Sequence, residues 1–338
     1  MKLISILFSV ILLALFMTAC QRADTPQERP EYVTIQGHEI TTNRLELSLA
    51  GMDLTDEDII PLQYMISLRQ LNLSHNQITD ITPLASLVSL NNLLLNDNQI
   101  SDISPVANFT NTNELALWLH DNQISDLSPL ADLTNLTSLS LQNNEVSDLS
   151  YLANLTNLNY LWLSQNQISD LTPLAGLSNL TNLMMQDNQV SDLEPLRSVT
   201  SLNFLGLENN EISDLTPLSD IPTLFVLSFT NNQISDLTPL AGLTSLRRLN
   251  FIDNQISDIA PLANLTNLID LWLNDNQISD LTPLANLTTL TDLRLQNNQI
   301  SDITPLYNLT NLTELDLAEN EISDWTPVEH VENVTGRP

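Results

Sequence analysis

An asparagine returns every 22 residues along most of this chain. Asn76, Asn98, Asn122, Asn144, Asn166, Asn188, Asn210, Asn232, Asn254, Asn276, Asn298 and Asn320 fall in register, with one step of 24 residues between Asn98 and Asn122. A unit this short cannot bury an apolar face alone. The repetition therefore excludes an ordinary globular core and requires units stacked as a solenoid. Leu271–Leu290, "LWLNDNQISDLTPLANLTTL", is one such unit. The alternation in Leu271-Trp272-Leu273 predicts a short strand whose leucines face inward while the residue between them faces out. Ile278 (Val at 146 and 190) returns to the core.

The next segment, "SDLTPL", predicts a helical turn, with Thr282 as its N-cap and Pro283 at the first helical position. Ten of the twelve asparagine-bearing units have Ser or Thr at that cap; Glu194 and Ala260 depart, and Tyr151 alone replaces the proline. So short a unit leaves no chain for a long helix, so these turns are expected to be mostly 3-10. Strands stack about 4.8 Å apart and the outer turns are bulkier, so the stack must curve, with strands on the concave wall. The 24-residue step carries two extra residues in "NELALWLHDN". Two residues added to a period-two pattern are expected to leave every face unchanged.

The pattern L-x-x-L-x-L-x-x-N-x-I matches the leucine-rich repeat. Units of the "NQISDLTPLANLTNL" type further resemble those of the internalin family of bacterial surface proteins, from about Leu47 to Val328. The resemblance implies an α/β repeat solenoid: a right-handed curved array with a parallel β-sheet on the concave face and mostly 3-10 turns on the convex face. It implies that the twelve asparagines point inward and bond backbone groups of the turns as a ladder, and that a partner is gripped on the concave face. The expected organisation is an N-terminal cap over 32–46, a repeat domain over 47–328 of about thirteen units, and a short closing tail over 329–338. The first unit is degenerate, with Met52 where Asn is expected, and Trp325 marks an atypical last one. Internalins usually carry a helical cap and an immunoglobulin-like domain after the repeats, and many have a sortase motif. This chain is expected to lack these and to use a lipid-type signal.

That signal is read in residues 1–20, "MKLISILFSVILLALFMTAC", which run from one Lys through an unbroken apolar stretch to small residues before a cysteine. Met17-Thr18-Ala19-Cys20 resembles a bacterial lipobox, which implies lipidation at Cys20. An uncleaved membrane helix over Leu3–Ala19 is the alternative. Residues 21–31 are polar, contain two prolines and are expected to form a flexible tether. Cys20 is the sole cysteine, so stability must come from packing without a disulfide. The expected location is the bacterial cell envelope or surface, after export, with the membrane reached through the lipid. The formal charge of −31 repels phosphates, so no nucleic-acid partner is expected.

Twelve aspartates from Asp80 to Asp324 recur one per unit. They suit backbone N–H groups in their own turns, with calcium as the alternative. A His–Asp–Asp metal site is conceivable at His75, Asp97 and Asp121, with His120 close by; the default is solvated loop residues and no metal. No Ser–His–Asp, Cys–His, phosphate-loop or dinucleotide pattern is present, so neither an enzyme nor a cofactor is expected.

Function then falls to the positions that the repeat leaves variable. Trp118, Trp162 and Trp272 share the outward column between the strand leucines, joined by Met184 and Arg294. Tyr160, Phe204 and Arg248 stand in the column preceding the strand, and Phe225 and Arg247 one position before that. Tyr160, Trp162, Met184, Phe204 and Phe225 are expected to form one contiguous exposed patch, with Gly206 leaving a dent beside it. Arg247, Arg248, Trp272 and Arg294 form a second region, where Asp270, Asp292 and Asp316 offer internal ion pairs instead. The expected function is a surface-anchored module whose concave face binds a partner protein in adhesion or recognition. A glycan-binding module and a structural envelope protein without a ligand are the alternatives.

Overall fold

A computed structural model describes residues 29–337. The signal segment 1–20, Cys20 and most of the tether expected over 21–31 lie outside the described residues.

The first element is an antiparallel hairpin of β1 (Tyr32–Ile35) and β2 (His38–Thr41). Its two-residue turn needs positive φ at both positions, met by Gln36 at 45° and Gly37 at 81°. The inward side chains Val33, Ile35 and Ile40 are buried and belong to the same core as the repeats. The hairpin thus shields the N-terminal edge of the solenoid from water.

Fourteen parallel strands follow in one sheet, each beside its neighbour in sequence. They are β3 (Glu46–Ser48), β4 (Gln70–Asn72), β5 (Asn92–Leu94), β6 (Leu115–Trp118), β7 (Leu136–Ser140), β8 (Tyr160–Trp162) and β9 (Asn182–Met184). The rest are β10 (Phe204–Gly206), β11 (Val226–Ser228), β12 (Arg248–Asn250), β13 (Asp270–Trp272), β14 (Asp292–Arg294), β15 (Glu314–Asp316) and β16 (Asn333–Thr335). The connections hold 3-10 turns, such as Thr172–Leu174 and Thr282–Leu284, and one α-helix, α1, at Asp56–Ile59. The chain is therefore a leucine-rich-repeat solenoid of the expected class. No helix among the described residues is long and apolar enough to cross a membrane.

The core is a single file. Each unit contributes leucines or isoleucines that are wholly or almost wholly buried, from Leu47 to Leu317. Phe229 and Phe251 replace the second inward leucine in two adjacent units and stack with centroids 5.4 Å apart. Each fully buried side chain of this size contributes about 1.5–3 kcal/mol of transfer free energy.

The asparagine column binds the file together. Asn276 Nδ2 donates to the carbonyls of Phe251, Leu273 and Asn274 at 2.9–3.2 Å, and its Oδ1 accepts from Ile256 N–H at 2.9 Å. Two of these four groups belong to the preceding unit, so each amide ties a turn to the turn before it. Asn76 serves the degenerate first unit in the same way, accepting from the N–H groups of Met52 and Leu54. The residue before each asparagine has positive φ, for example 56° at Asp275 and 57° at Asp187. Asp and Asn tolerate that left-handed conformation best among residues other than glycine, and they occupy most of this column.

Three local expectations change. Thr282 does not cap its turn: it is the first 3-10 residue, and Asp280 Oδ1 accepts its backbone N–H at 2.8 Å. The same aspartate bond forms to Glu194 and Ala260, the units lacking Ser or Thr, so the cap is the aspartate two residues earlier. The long unit does not simply extend an alternating strand. Leu115 pairs Leu136 but Ala116 pairs Ser138, so Thr137 has no counterpart and the surplus chain lies in the loop before β6. Asn135 Nδ2 holds that loop through Phe109 O at 2.9 Å and Thr112 Oγ1 at 3.0 Å. Finally, the closing tail is itself a strand, with Leu315 paired to Val334.

Candidate partner-binding face

The residue between each pair of inward leucines stands on the open side of the sheet. The parallel register sets these residues side by side as Leu94, Trp118, Ser140, Trp162, Met184, Gly206, Ser228, Asn250, Trp272, Arg294 and Asp316. The strand pleat alone produces this row.

Trp118 and Trp162 sit two strands apart, yet their rings stack with centroids 5.2 Å apart and planes 29° apart. Ser140 occupies the strand between them and is 1% exposed, so the indoles close over a side chain too small to keep them apart. Its hydroxyl donates to Gln142 Oε1 at 2.5 Å and contacts His120 Nδ1 at 2.8 Å. Trp118 Nε1 donates to Asn92 Oδ1 at 3.1 Å, which fixes one indole. Tyr160, on the same face of β8, stacks on Trp162 at 5.8 Å and remains 43% exposed. The three rings form one platform.

The expected single patch from Tyr160 to Phe225 resolves into separate groups. Met184, Phe204, Val226 and Trp272 line a recess of about 250 Å³, beside Gly206, which Gln186 and Glu208 cover. Phe225, 41% exposed, carries the Arg247 guanidinium 5.1 Å from its ring centroid. Arg294 lies 4.7 Å from the Trp272 ring and bonds both oxygens of Asp292, at 3.1 and 2.9 Å. Those Asp292 bonds, against the opposing effect of partial burial, hold the Arg294 guanidinium above its ordinary value. Arg248 Nε pairs with Asp270 Oδ2 at 2.7 Å. The ion pairs with Asp270 and Asp292 thus account for Arg248 and Arg294, whereas the Trp118–Trp162–Tyr160 platform is held by its own stacking and the one bond from Trp118 to Asn92. Sequence reading singled out the rings, and His120 only as a neighbour of a possible metal site, but not Ser140 and Asn92, which have no distinguishing pattern until the sheet brings them against the indoles.

The two candidate metal sites look different in three dimensions. In all twelve units the recurring aspartate accepts the N–H two residues on, as Asp170 does from Thr172 and Asp302 from Thr304 at 2.8 Å. Those bonds give the column a structural role. In the smaller cluster, His120 and not His75 completes the triad: one ligand atom each from Asp97, His120 and Asp121 lies within 4.8 Å of the others. His75 instead pairs with Asp97 through Nδ1 and Oδ2 at 3.2 Å. Asn96 also donates to Asp97 at 2.8 Å and Asn143 to Asp121 at 2.6 Å, so neighbouring side chains already use these carboxylates.

The family model for leucine-rich repeats, in two-copy form, matches residues 66–108, 116–154, 134–176, 178–220, 222–264, 244–286 and 288–330. No curated protein matches the sequence. Among solved structures, an internalin (inlF) from Listeria monocytogenes is 40% identical with a TM-score of 0.84, over 89% of this chain and 90% of that one. An internalin C2 from the same species is also 40% identical, with a TM-score of 0.53 over 57% of this chain and 86% of the other. A leucine-rich-repeat protein of Leptospira interrogans, 21% identical with a TM-score of 0.64 over 87% of this chain and 96% of that one, shares the fold.

Proposed function

We propose, for a chain that belongs to the leucine-rich repeat family in its internalin-like class, that it is a recognition module whose concave face binds a partner protein. Internalin-like repeats typically serve protein recognition or adhesion and are typically not enzymes. The observation that carries the concave face as the site is the Trp118–Trp162–Tyr160 platform. Three stacked rings on the open side of the sheet do nothing for the leucine file or the asparagine ladder, which are complete without them. Aromatic anchors of this kind dominate binding energy at protein interfaces, and a half-buried aromatic platform with Tyr160 exposed at its edge suits such a site. Met184, Phe204, Phe225, Arg247, Arg248, Trp272 and Arg294 extend the surface toward the C-terminal units.

The same proposal sets the module at the cell surface, exported by residues 1–20 and held to a membrane through lipid at Cys20, with residues 21–31 as its tether. The support is the order of charged, apolar and small residues ahead of the sole cysteine. Mass spectrometry of the purified protein tests it: an acylated N-terminal Cys20 is expected, and an intact signal segment would remove the anchor.

The binding test compares the full-length protein with a Trp162→Ala/Trp272→Ala double variant in pull-downs from host-surface extracts. Each truncation is expected to cost a captured partner about 1–4 kcal/mol of affinity. Both proteins should melt cooperatively, with the midpoint of the double variant lowered only modestly by loss of the Trp118–Trp162 stack. Equal capture by both proteins would overturn the assignment of the face.

A further inference from the structure

The recess beside Gly206 is bordered by an acceptor that the protein itself leaves unused. Its walls are Met184, Phe204, Val226 and Trp272, and Glu208 and Gln186 close one end. Glu208 Oε1 accepts the Ser228 hydroxyl at 2.5 Å, and Ser228 in turn accepts from Asn250 Nδ2 at 3.1 Å. Glu208 Oε2 is shut off from water and has no hydrogen-bond partner. A desolvated carboxylate oxygen without a donor is a costly arrangement, and a cation supplied from outside would remove that cost.

Gly206 is what permits it. A Cβ at this position would come within 2.8 Å of Gln186 Nε2 and 3.3 Å of Glu208 Oε2, so any larger residue would push these two side chains off the strand. The one basic wall residue, Arg248, is engaged by Asp270 at 2.7 Å. With Glu208, Asp270 and Arg248 counted, the lining carries one net negative charge. Its volume, about 250 Å³, falls below the roughly 300–1,000 Å³ of pockets that hold whole small molecules. One long side chain fits that scale. Aromatic and aliphatic walls around a carboxylate suit an alkyl stem that ends in a cation.

We infer that this recess is a specificity pocket for a basic side chain, lysine above all, projecting from the partner protein. The aliphatic stem lies along Met184, Phe204 and Val226, and the ammonium reaches Glu208 after displacing the Gln186 amide. This rests on the reading that the concave face binds protein, and it adds which chemistry the face selects.

The test needs no partner. Full-length protein carrying 13C-methyl methionine is titrated at physiological salt with Nα-acetyl-lysine N-methylamide and, separately, with its uncharged counterpart Nα-acetyl-norleucine N-methylamide. The methyl signal of Met184, in the recess wall, should move saturably with the lysine probe and at least tenfold more weakly with norleucine. The signal of Met185, fully buried in the core, should stay still. Glu208→Gln should weaken the lysine response at least tenfold, and Gly206→Ala should abolish it. Thermal melts establish that both variants fold; if Gly206→Ala does not, Glu208→Gln decides alone. Equal responses to the two probes, or an unchanged response in Glu208→Gln, overturn the pocket. Because the platform of Trp118, Tyr160 and Trp162 takes no part in this titration, partner capture can survive failure of the pocket, and the pocket can survive failure of partner capture.

Discussion

Trp118 and Trp162 stack at 5.2 Å although a whole repeat lies between them, because the intervening strand presents Ser140. The pair predicts an energetic coupling between side chains 44 positions apart in sequence. In a double-mutant cycle of Trp118→Ala and Trp162→Ala, followed by urea unfolding, the coupling should be about 0.5–1.5 kcal/mol. Ser140→Leu should separate the indoles and remove their exciton couplet in circular dichroism. Strictly additive single effects would show that the rings do not meet.

The ladder makes a different prediction. Asn188 donates to the carbonyls of Leu163, Met185 and Gln186 and accepts from Ile168 N–H, all within 3.2 Å. Asn188→Ala strands these groups in the interior at about 1–3 kcal/mol each where water cannot replace the amide. A loss of at least about 3 kcal/mol is expected in urea unfolding. Because each unit touches only its neighbours, the transition should also broaden or split at this unit. A loss below about 1 kcal/mol would mean that water takes over the role of the amide.

Stability should depend on pH in two opposed ways. Asp170, Asp214 and Asp236 are held below the ordinary aspartate value of 3.8, first by the hydroxyl and then by the backbone N–H of the Thr two residues on. A carboxylate depressed in the fold contributes fully above its unfolded value and loses that contribution as the pH falls through the lower folded value. Acidification also relieves the mutual repulsion of a chain with net charge −31. The thermal midpoint should therefore hold or rise down to about pH 4 and fall below it. A midpoint that keeps rising in stronger acid would separate the aspartate column from stability.

At the C-terminal end, Gly336 has φ of +94°, and a Cβ there would lie 2.5 Å from the backbone nitrogen of Ala318. Gly336→Ala should detach β16 at a local cost of about 1–3 kcal/mol. Amide exchange at Leu317, whose N–H donates to Thr335 O at 3.0 Å, is the readout and should accelerate. Core amides such as Leu205 should exchange as before.

Periodicity made the architecture legible because each position does the same task in every unit. Leu271 and Leu273 alternate with Trp272 in one unit and lie the same way in the sheet. The turns were less legible. Thr282 resembles a cap, and only backbone geometry transfers that duty to Asp280, since the 3-10 turn starts at Thr282 itself, one residue earlier than a helix capped by that threonine would. The long unit misled for a related reason. Its alternation continues through Leu117 and Leu119, while the loop and bulge around Leu115 answer to Asn135 in the next unit. Among the candidate metal ligands, only the stacking of turns shows that His120 gathers with both Asp97 and Asp121 while His75 pairs with Asp97.

The sequence by itself determined the solenoid, the direction of every strand side chain and the column in which the tryptophans stand, because a period of two within a period of 22 admits one arrangement that buries the leucines. The tertiary structure decided which of those outward residues touch. Contacts across units depend on the small side chains between them: Ser140 lets two indoles meet, and Gly206 lets a carboxylate fold down beside a recess. A one-dimensional pattern records the large residues, whereas the space left by the small ones exists only once the strands are side by side.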